Sequence, residues 1–416
     1  MSAVSAATSH LSAEVEAVWR IESVRILASL VRMLRDVDLA EEFAQEAFVA
    51  ALSQWPATGI PRNPGAWLLT VARNRALDHF RKTKRLTPLD TNAQTHSSAN
   101  LPDLDDDVGD DVLRLMFIAC HPVLSREARV ALTLRLLGGL TTAEIARAYL
   151  TSEPTVAQRL VRAKRTLAEA QATFELPRGE DRQARLPMVL EAIYLIFNEG
   201  YSATAGEDWM RPELCKDAQR LARILVGLAP QEPEVQGLAA LLDLQASRMP
   251  ARTKPDGTPI LLLDQNRTRW DRVLIQRGLA SLDQASRLDN GHPGPYQLQA
   301  AIAACHARAN IADQTDWVRI AQLYAQLADV APSPVVELNR AVAAGMAFGP
   351  QAGLDLADAL AGHPALAGYH LLPSVRGEFL ERLGRLDEAR DAFLEAAALT
   401  RNEREREVLL QRATPK

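Results

Sequence analysis

The chain has 416 residues, is 47% hydrophobic but only 5% aromatic, and carries a formal charge of −5. At about 100–200 residues per domain, that length excludes a single core, and the acidic balance excludes a protein that coats nucleic acid by bulk electrostatics. Stretches of Ala and Leu partnered by Arg, Glu and Gln, with few β-branched runs of strand length, predict an all-α fold from end to end.

Residues 11–84 read as a compact helical domain, its helical spacing broken at Trp55-Pro56 and over 59–65, which holds Pro61 and Pro64. The helix that follows Pro64 offers Trp67, Leu68, Val71, Leu77 and Phe80 as core anchors and Arg73, Asn74, Arg75, Asp78 and Arg81 as a polar face. Cations combined with an amide suit single-stranded DNA, whose backbone needs charge and whose unstacked bases need a hydrogen-bonding edge. An ordinary basic surface helix carries similar residues. Residues 85–110 form an acidic linker in which Asp103, Asp105, Asp106, Asp107 and Asp110, with Asp111 just beyond, follow the basic block of 62–85.

Residues 111–175 form a second small domain with the most specific local signal in the chain. Thr141 or Thr142 can cap a short helix whose Ile145, Ala146 and Tyr149 face inward. Ser152 caps a second helix, Pro154 sits where its missing N–H costs nothing, and Val156, Leu160 and Leu167 supply the buried stripe. This is a helix-turn-helix pattern. The second helix also carries Thr155, Gln158, Arg159, Arg162, Lys164 and Arg165, which can reach base edges or phosphates in a major groove. A solvated basic face is the plainer reading of the same residues.

Residues 183–416 are helix pairs separated by Pro- or Gly-bearing turns. The run from Glu378 to Ala389, with its Leu383-Gly384-Arg385 turn and the following Ala392, Phe393, Ala396 and Ala397, resembles a tetratricopeptide repeat, and looser pairs at 214–248 and 317–345 fit the same architecture. Cys120, Cys215 and Cys305 have no paired spacing and are expected as buried free thiols. His121, His292, His306, His363 and His370 lie in no metal-ligand spacing, and no Gly-rich phosphate loop follows a strand. No metal, cofactor or enzymatic activity is therefore expected. Without a signal segment or an apolar window of about 18 residues, the chain is expected to be cytoplasmic with no membrane partner.

Taken together, the helix Asp38-Leu39-Ala40-Glu41-Glu42-Phe43-Ala44-Gln45-Glu46-Ala47-Phe48, the Trp67 to Lys82 helix, the acidic linker and the helix-turn-helix resemble a bacterial extracytoplasmic-function (ECF) sigma factor. The resemblance implies that Asp38, Glu41, Glu42, Gln45, Glu46 and Phe48 dock on core RNA polymerase. It also implies that Arg73, Asn74, Arg75, Asp78 and Arg81 hold the −10 promoter element, with Asn74 at the base-capturing position, and that the helix from Ser152 reads the −35 element. Asp105, Asp106 and Asp107 would mimic nucleic-acid charge in polymerase channels or serve as a solvated tether. The region beyond the helix-turn-helix looks like the tetratricopeptide-type extension of one subgroup, opening at 186–201, and implies regulation by contact with the sigma domains or polymerase. Asn198, Glu199 and Tyr201 are there a polar site or a capping network. The rival reading is an operator-binding regulator with a helical-repeat sensor, which leaves the first domain unexplained. The low net charge predicts weak DNA binding by the free protein.

Overall fold

The computed structural model describes residues 2–86, 108–149, 151–170, 172, 174–203, 209–255 and 257–414. Asp105, Asp106 and Asp107 of the acidic linker lie outside them. The described residues form helices and no named strand, apart from an isolated bridge between Thr253 and Pro259. Contacts divide the chain into two compact units, Met1–Arg147 with Thr151–Ala192, and Ala148–Leu150 with Ile193–Lys416.

In the first unit, α1 (Ser2–Leu34), α2 (Val37–Thr58) and α3 (Pro64–Leu86) pack on one another. Asp36 caps α2 by accepting from the Leu39 N–H at 3.0 Å, and Asn63 caps α3 by accepting from the Ala66 N–H at 3.0 Å. Leu30, Phe43, Ala47, Trp55 and Leu68 are buried, and Trp55 meets Trp67 edge to face at 5.3 Å. Of the two expected breaks, the one at Trp55-Pro56 is absent, and the one over 59–65 opens at Gly59, which has φ +81° and donates its N–H to the Trp55 carbonyl. Pro56 lies in the last turn of α2, where the missing N–H removes one hydrogen bond and the helix ends two residues later.

Helix α3 departs from the expected anchors. Leu68, Ala72 and Ala76 are buried, whereas Leu77 and Phe80 are 43% and 40% exposed. At about 100° per residue, Leu77 falls on the face opposite Leu68, so a stripe running through Leu68, Ala72 and Ala76 necessarily turns Leu77 outward.

The unit continues with α4 (Val108–Ala119), α5 (Arg126–Thr133), a π-helical turn at Leu134–Gly138, α6 (Thr142–Ala148) and α7 (Glu153–Glu169). Helix α4 packs on α1, and α5 packs on α7. Gly139, at φ +72°, ends the π turn in the left-handed region. The first half of α8 (Gly179–Tyr201) belongs to this unit too. There Arg185 is buried and donates to the Phe117 carbonyl at 3.0 Å, and Glu191 pairs with Arg126 at 2.7 Å and Arg129 at 3.2 Å.

The second unit runs through α9 (Pro212–Leu228), α10 (Pro233–Ala246), α11 (Arg272–Leu288), α12 (Pro295–Arg308), α13 (Trp317–Val330), α14 (Pro334–Phe348), α15 (Pro350–Asp358), α16 (Leu371–Arg382), α17 (Leu386–Leu399) and α18 (Glu403–Arg412). Each packs chiefly on its neighbours in sequence, as a helical repeat requires. The α16–α17 pair carries the tetratricopeptide-like turn, with Gly384 at φ +76° and Phe393 seated against Gly377. The looser pairs expected at 214–248 and 317–345 are α9 with α10 and α13 with α14. Cys120 and Cys215 are buried and Cys305 is partly buried, all as free thiols. No helix among the described residues is long and apolar enough to cross a membrane.

The ring of Phe379 lies against both Gly345 and Gly353, where a Cβ on either glycine would overlap it. Replacing a mid-helix glycine by alanine normally gains up to about 1 kcal/mol. At Gly353 we expect the reverse, a loss of about 1–3 kcal/mol from overpacking, whereas exposed Gly227→Ala, with open space around its Cβ, should gain. Urea midpoints of the two variants check the difference in sign.

Candidate functional site

The residues expected on α2 recur at i, i+3, i+4, i+7 and i+8 from Asp38, which places Asp38, Glu41, Glu42, Gln45 and Glu46 on neighbouring rows of one helix. The structure divides them. Glu42 and Gln45 are exposed; Phe48 is half-buried and stacks on Trp19 with ring centroids 4.8 Å apart. Glu46 is exposed and lies 3.6 Å from the Arg75 guanidinium on α3.

Glu41 is buried, and its carboxylate bridges two cations. Arg135, in the π turn, donates through Nε to Oε1 at 2.8 Å, and Lys164 of α7 pairs with Oε2 at 2.6 Å. The same ammonium reaches Asp38 Oδ1 at 2.5 Å. Arg135 is held further by its bond to the Leu140 carbonyl at 3.2 Å. The Glu41 and Lys164 side chains are only 11% and 16% exposed, so their attraction is screened less than that of a surface pair. Burial works to lower the Lys164 pKa, but Glu41 and Asp38 outweigh it, and the ammonium ends above the ordinary lysine value. A second ion pair, Arg32 to Asp111 at 3.3 Å, joins α1 to α4. Beside Lys164 a cleft of about 440 Å³ opens between the start of α2 and the end of α7, bordered by Asp36, Leu167 and Phe174.

On α3, Asn74 and Arg75 are exposed, and Asp78 pairs with Arg81 at 3.2 Å. Arg73 is half-buried, donates to the Ser29 hydroxyl at 3.1 Å, and has its pKa lowered by burial and by Arg32. The expected polar face is thus Asn74, Arg75, Asp78 and Arg81, with Arg73 turned toward α1.

The helix-turn-helix forms as its capping residues require. The Glu144 N–H donates to the Thr141 hydroxyl at 3.1 Å, and the Glu144 carboxylate accepts from the Thr141 N–H at 2.8 Å, a reciprocal capping box. Ser152 caps α7 by accepting from the Thr155 N–H at 3.3 Å. Ile145, Ala146, Val156, Leu160, Ala163 and Leu167 are buried. Thr155, Gln158, Arg162 and Arg165 are exposed, Arg159 is half-buried, and Arg165 pairs with Glu169 at 2.6 Å. Lys164 does not join that face, because it points to α2. Arg135 was missed by the sequence reading, although a lone arginine within a run of buried leucines signals a required partner.

Substituting Glu41→Gln leaves Lys164 and Arg135 without their shared anion and is expected to cost about 1–3 kcal/mol, less than a fully buried pair because both partners retain some solvent. With the Lys164 pKa raised in the folded state, its contribution is complete below about pH 10.5 and fades as pH rises through the folded value. Urea unfolding of wild type and variant should therefore show a constant difference from pH 7 to about 10 that narrows above it, the Arg135 share persisting.

The Sigma-70 region 2 family matches residues 22–86, the Sigma-70 region 4 family matches 114–167, and a family of unknown function, DUF6596, matches 185–286. An uncharacterised protein of Rhizobium meliloti is 46% identical over 388 residues, 90% of this chain and 89% of its own length. The ECF RNA polymerase sigma factor SigK of Mycobacterium ulcerans is 30% identical over 150 residues, 34% of this chain and 78% of its own. Among solved structures, yeast Tom70 aligns over 98% of this chain and 87% of its own at 10% identity with a TM-score of 0.36, too low to bear on the fold. With regions 2 and 4 present in order on capped helices, the chain belongs to the ECF RNA polymerase sigma factors.

Proposed function

We propose that the chain binds core RNA polymerase, recognises −10 and −35 promoter elements and initiates transcription, leaving bond-making to polymerase and acting in the cytoplasm without a cofactor. Residues Asp38, Glu41, Glu42, Gln45, Glu46 and Phe48 form the polymerase surface. Asn74 captures a −10 base, with Arg73, Arg75, Asp78 and Arg81 along the strand, and Thr155, Gln158, Arg159, Arg162 and Arg165 approach the −35 duplex, joined by Lys164 only once its pairs with Asp38 and Glu41 part. The observation that carries this reading is the capped α7 helix, which offers Thr155, Gln158, Arg162 and Arg165 to solvent while its apolar stripe is buried.

The ion pairs add a condition. Glu41 and Lys164 are engaged with one another in the free chain, with Asp38 on the same ammonium, so residues assigned to two different partners are taken up by each other. We assign this arrangement to a resting form that core polymerase opens by competing for α2, and we assign the second unit a regulatory role through contact with the sigma domains or polymerase.

Run-off transcription with core polymerase and DNA from upstream of the chain's own gene tests the assignment. Transcripts that depend on the protein should fall about tenfold or more with Asn74→Ala, consistent with losing a good base contact worth about 1–3 kcal/mol, and should fall with Arg162→Ala and Gln45→Ala. Absence of transcripts together with tight duplex binding by the protein alone would favour the operator-binding regulator.

A further inference from the structure

Two buried arginines, Arg252 and Arg267, and the half-buried Arg248 stand out in the second unit. Arg252 and Arg267 are 5% and 4% exposed. Arg252 lies 3.6 Å from the centroid of the Tyr201 ring and 4.3 Å from that of Trp209, and donates to the Tyr201 carbonyl. Arg267 donates to the carbonyls of His306 and Ala309 and to the Thr315 hydroxyl at 2.8–3.0 Å. Arg248 donates to Gln245 Oε1 at 3.1 Å and shares the Trp270 ring with Arg267. None of the three has a carboxylate within ion-pair distance among the described residues, and the Nε atoms of Arg248 and Arg267 are buried without a hydrogen-bond partner. His306 registers the resulting field, because burial together with Arg248 and Arg267 pushes its pKa down to about 3. Buried cations without counter-charge are costly, and an anion that reached them would relieve the cost.

The place with room for that anion adjoins them. Tyr194, Asn198 and Tyr201 of α8, Gln245 of α10, Gln299 of α12 and Tyr324 of α13 line a cavity of about 90 Å³, well above the roughly 10–15 Å³ that admits one water. Two of its walls are backed directly by cations, Gln245 by Arg248 and Tyr201 by Arg252. Several of its lining groups can donate. The Tyr201 hydroxyl is buried with no partner. The Gln245 carbonyl accepts from Arg248, which leaves its amide NH2 as the free end. Burial pushes the Tyr324 pKa up to about 12, so its hydroxyl stays protonated. Tyr194 is held in place by its bond to Gln299 Oε1 at 3.1 Å. No acidic residue is among the described residues that line the cavity. Glu405, the carboxylate felt by nearby Tyr369, is engaged by His370 at 3.0 Å and by Thr400 at 2.7 Å. Asn198 is exposed, which leaves one side open for the remainder of a ligand. The frame is closed: Asn402, which caps α18, is buried and donates to the Ala203 carbonyl just beyond α8, so the last helix meets the first.

We propose that this cavity is a binding site for the oxyanion head group, phosphate or carboxylate, of a small molecule, held by the Tyr201 and Tyr324 hydroxyls and the Gln245 amide within the field of Arg248 and Arg252. Of the candidate polar trio at the end of α8, the site takes Asn198 and Tyr201, while Glu199 pairs with Arg211 instead.

Titration calorimetry and thermal unfolding of the full chain with sodium phosphate, sodium acetate and glucose, each balanced with sodium chloride to constant ionic strength, test the proposal. Saturable binding of phosphate or acetate, weakened about tenfold by Tyr201→Phe and by Tyr324→Phe, is the expected result. The tighter of the two anions identifies the head group. Tyr201→Phe carries its own control for folding: it deletes a hydroxyl with no partner, so the ligand-free melting temperature should hold or rise while affinity falls. No saturable binding beyond chloride, equal affinity in wild type and both Phe variants, or preference for glucose would overturn the proposal.

Discussion

One carboxylate sets the geometry of the first unit. Glu41 is buried on the packed face of α2 and holds Arg135 on one oxygen and Lys164 on the other. Burying a carboxylate without such partners is costly, so the placement of α2 favours one position for the π turn and α7. Apolar packing of α4 on α1 supplies adhesion without direction. The Glu41 cluster supplies register, and the same contacts withdraw Glu41 and Lys164 from outside partners while Asp38 stays largely exposed. An arrangement held by ion pairs beside an open cleft is also one that a competing surface can separate, since water and new partners can replace each bond in turn.

The local structure of this unit was legible because its signals are short-range. Ser152, Pro154 and the Thr141–Glu144 pair act on backbone groups within one turn, and the helix-turn-helix followed from them. The tetratricopeptide-like turn at Gly384 was readable for the same reason. Other readings failed where a face had to be chosen. Leu77 and Phe80 were expected inside because they are apolar, yet the spacing of Leu68, Ala72 and Ala76 excludes Leu77 from that stripe. Lys164 is basic and is expected on the DNA face, while in the free chain it falls with Leu160, Ala163 and Leu167 at i, i+3, i+4 and i+7 and pairs with α2. Its position on a packed face was available from periodicity. Its partner was not, since Glu41 lies over a hundred residues away and only the tertiary fold joins them.

The second unit illustrates the same limit. Helix pairs announce themselves through Pro and Gly punctuation, but Arg248, Arg252 and Arg267 are ordinary cations in a sequence that has many. Their significance is visible only once the fold sets them among aromatic rings with no carboxylate alongside among the described residues. Charge is therefore handled differently around the two sites. In the first, buried Glu41 is paired and locks helices together; in the second, pairs such as Glu199 with Arg211 stand beside arginines that have no carboxylate partner among the described residues.

The central claim is that α2 and α7 are held together in the free chain and part when polymerase binds. Spin labels on Val49 of α2 and Val161 of α7, both exposed, in a background with Cys305 replaced and the buried Cys120 and Cys215 retained, would report the separation directly. The account predicts one short, narrow distance distribution for the free protein and a longer one after addition of core polymerase. A distribution already long and broad in the free protein, or one unchanged on binding, would contradict it.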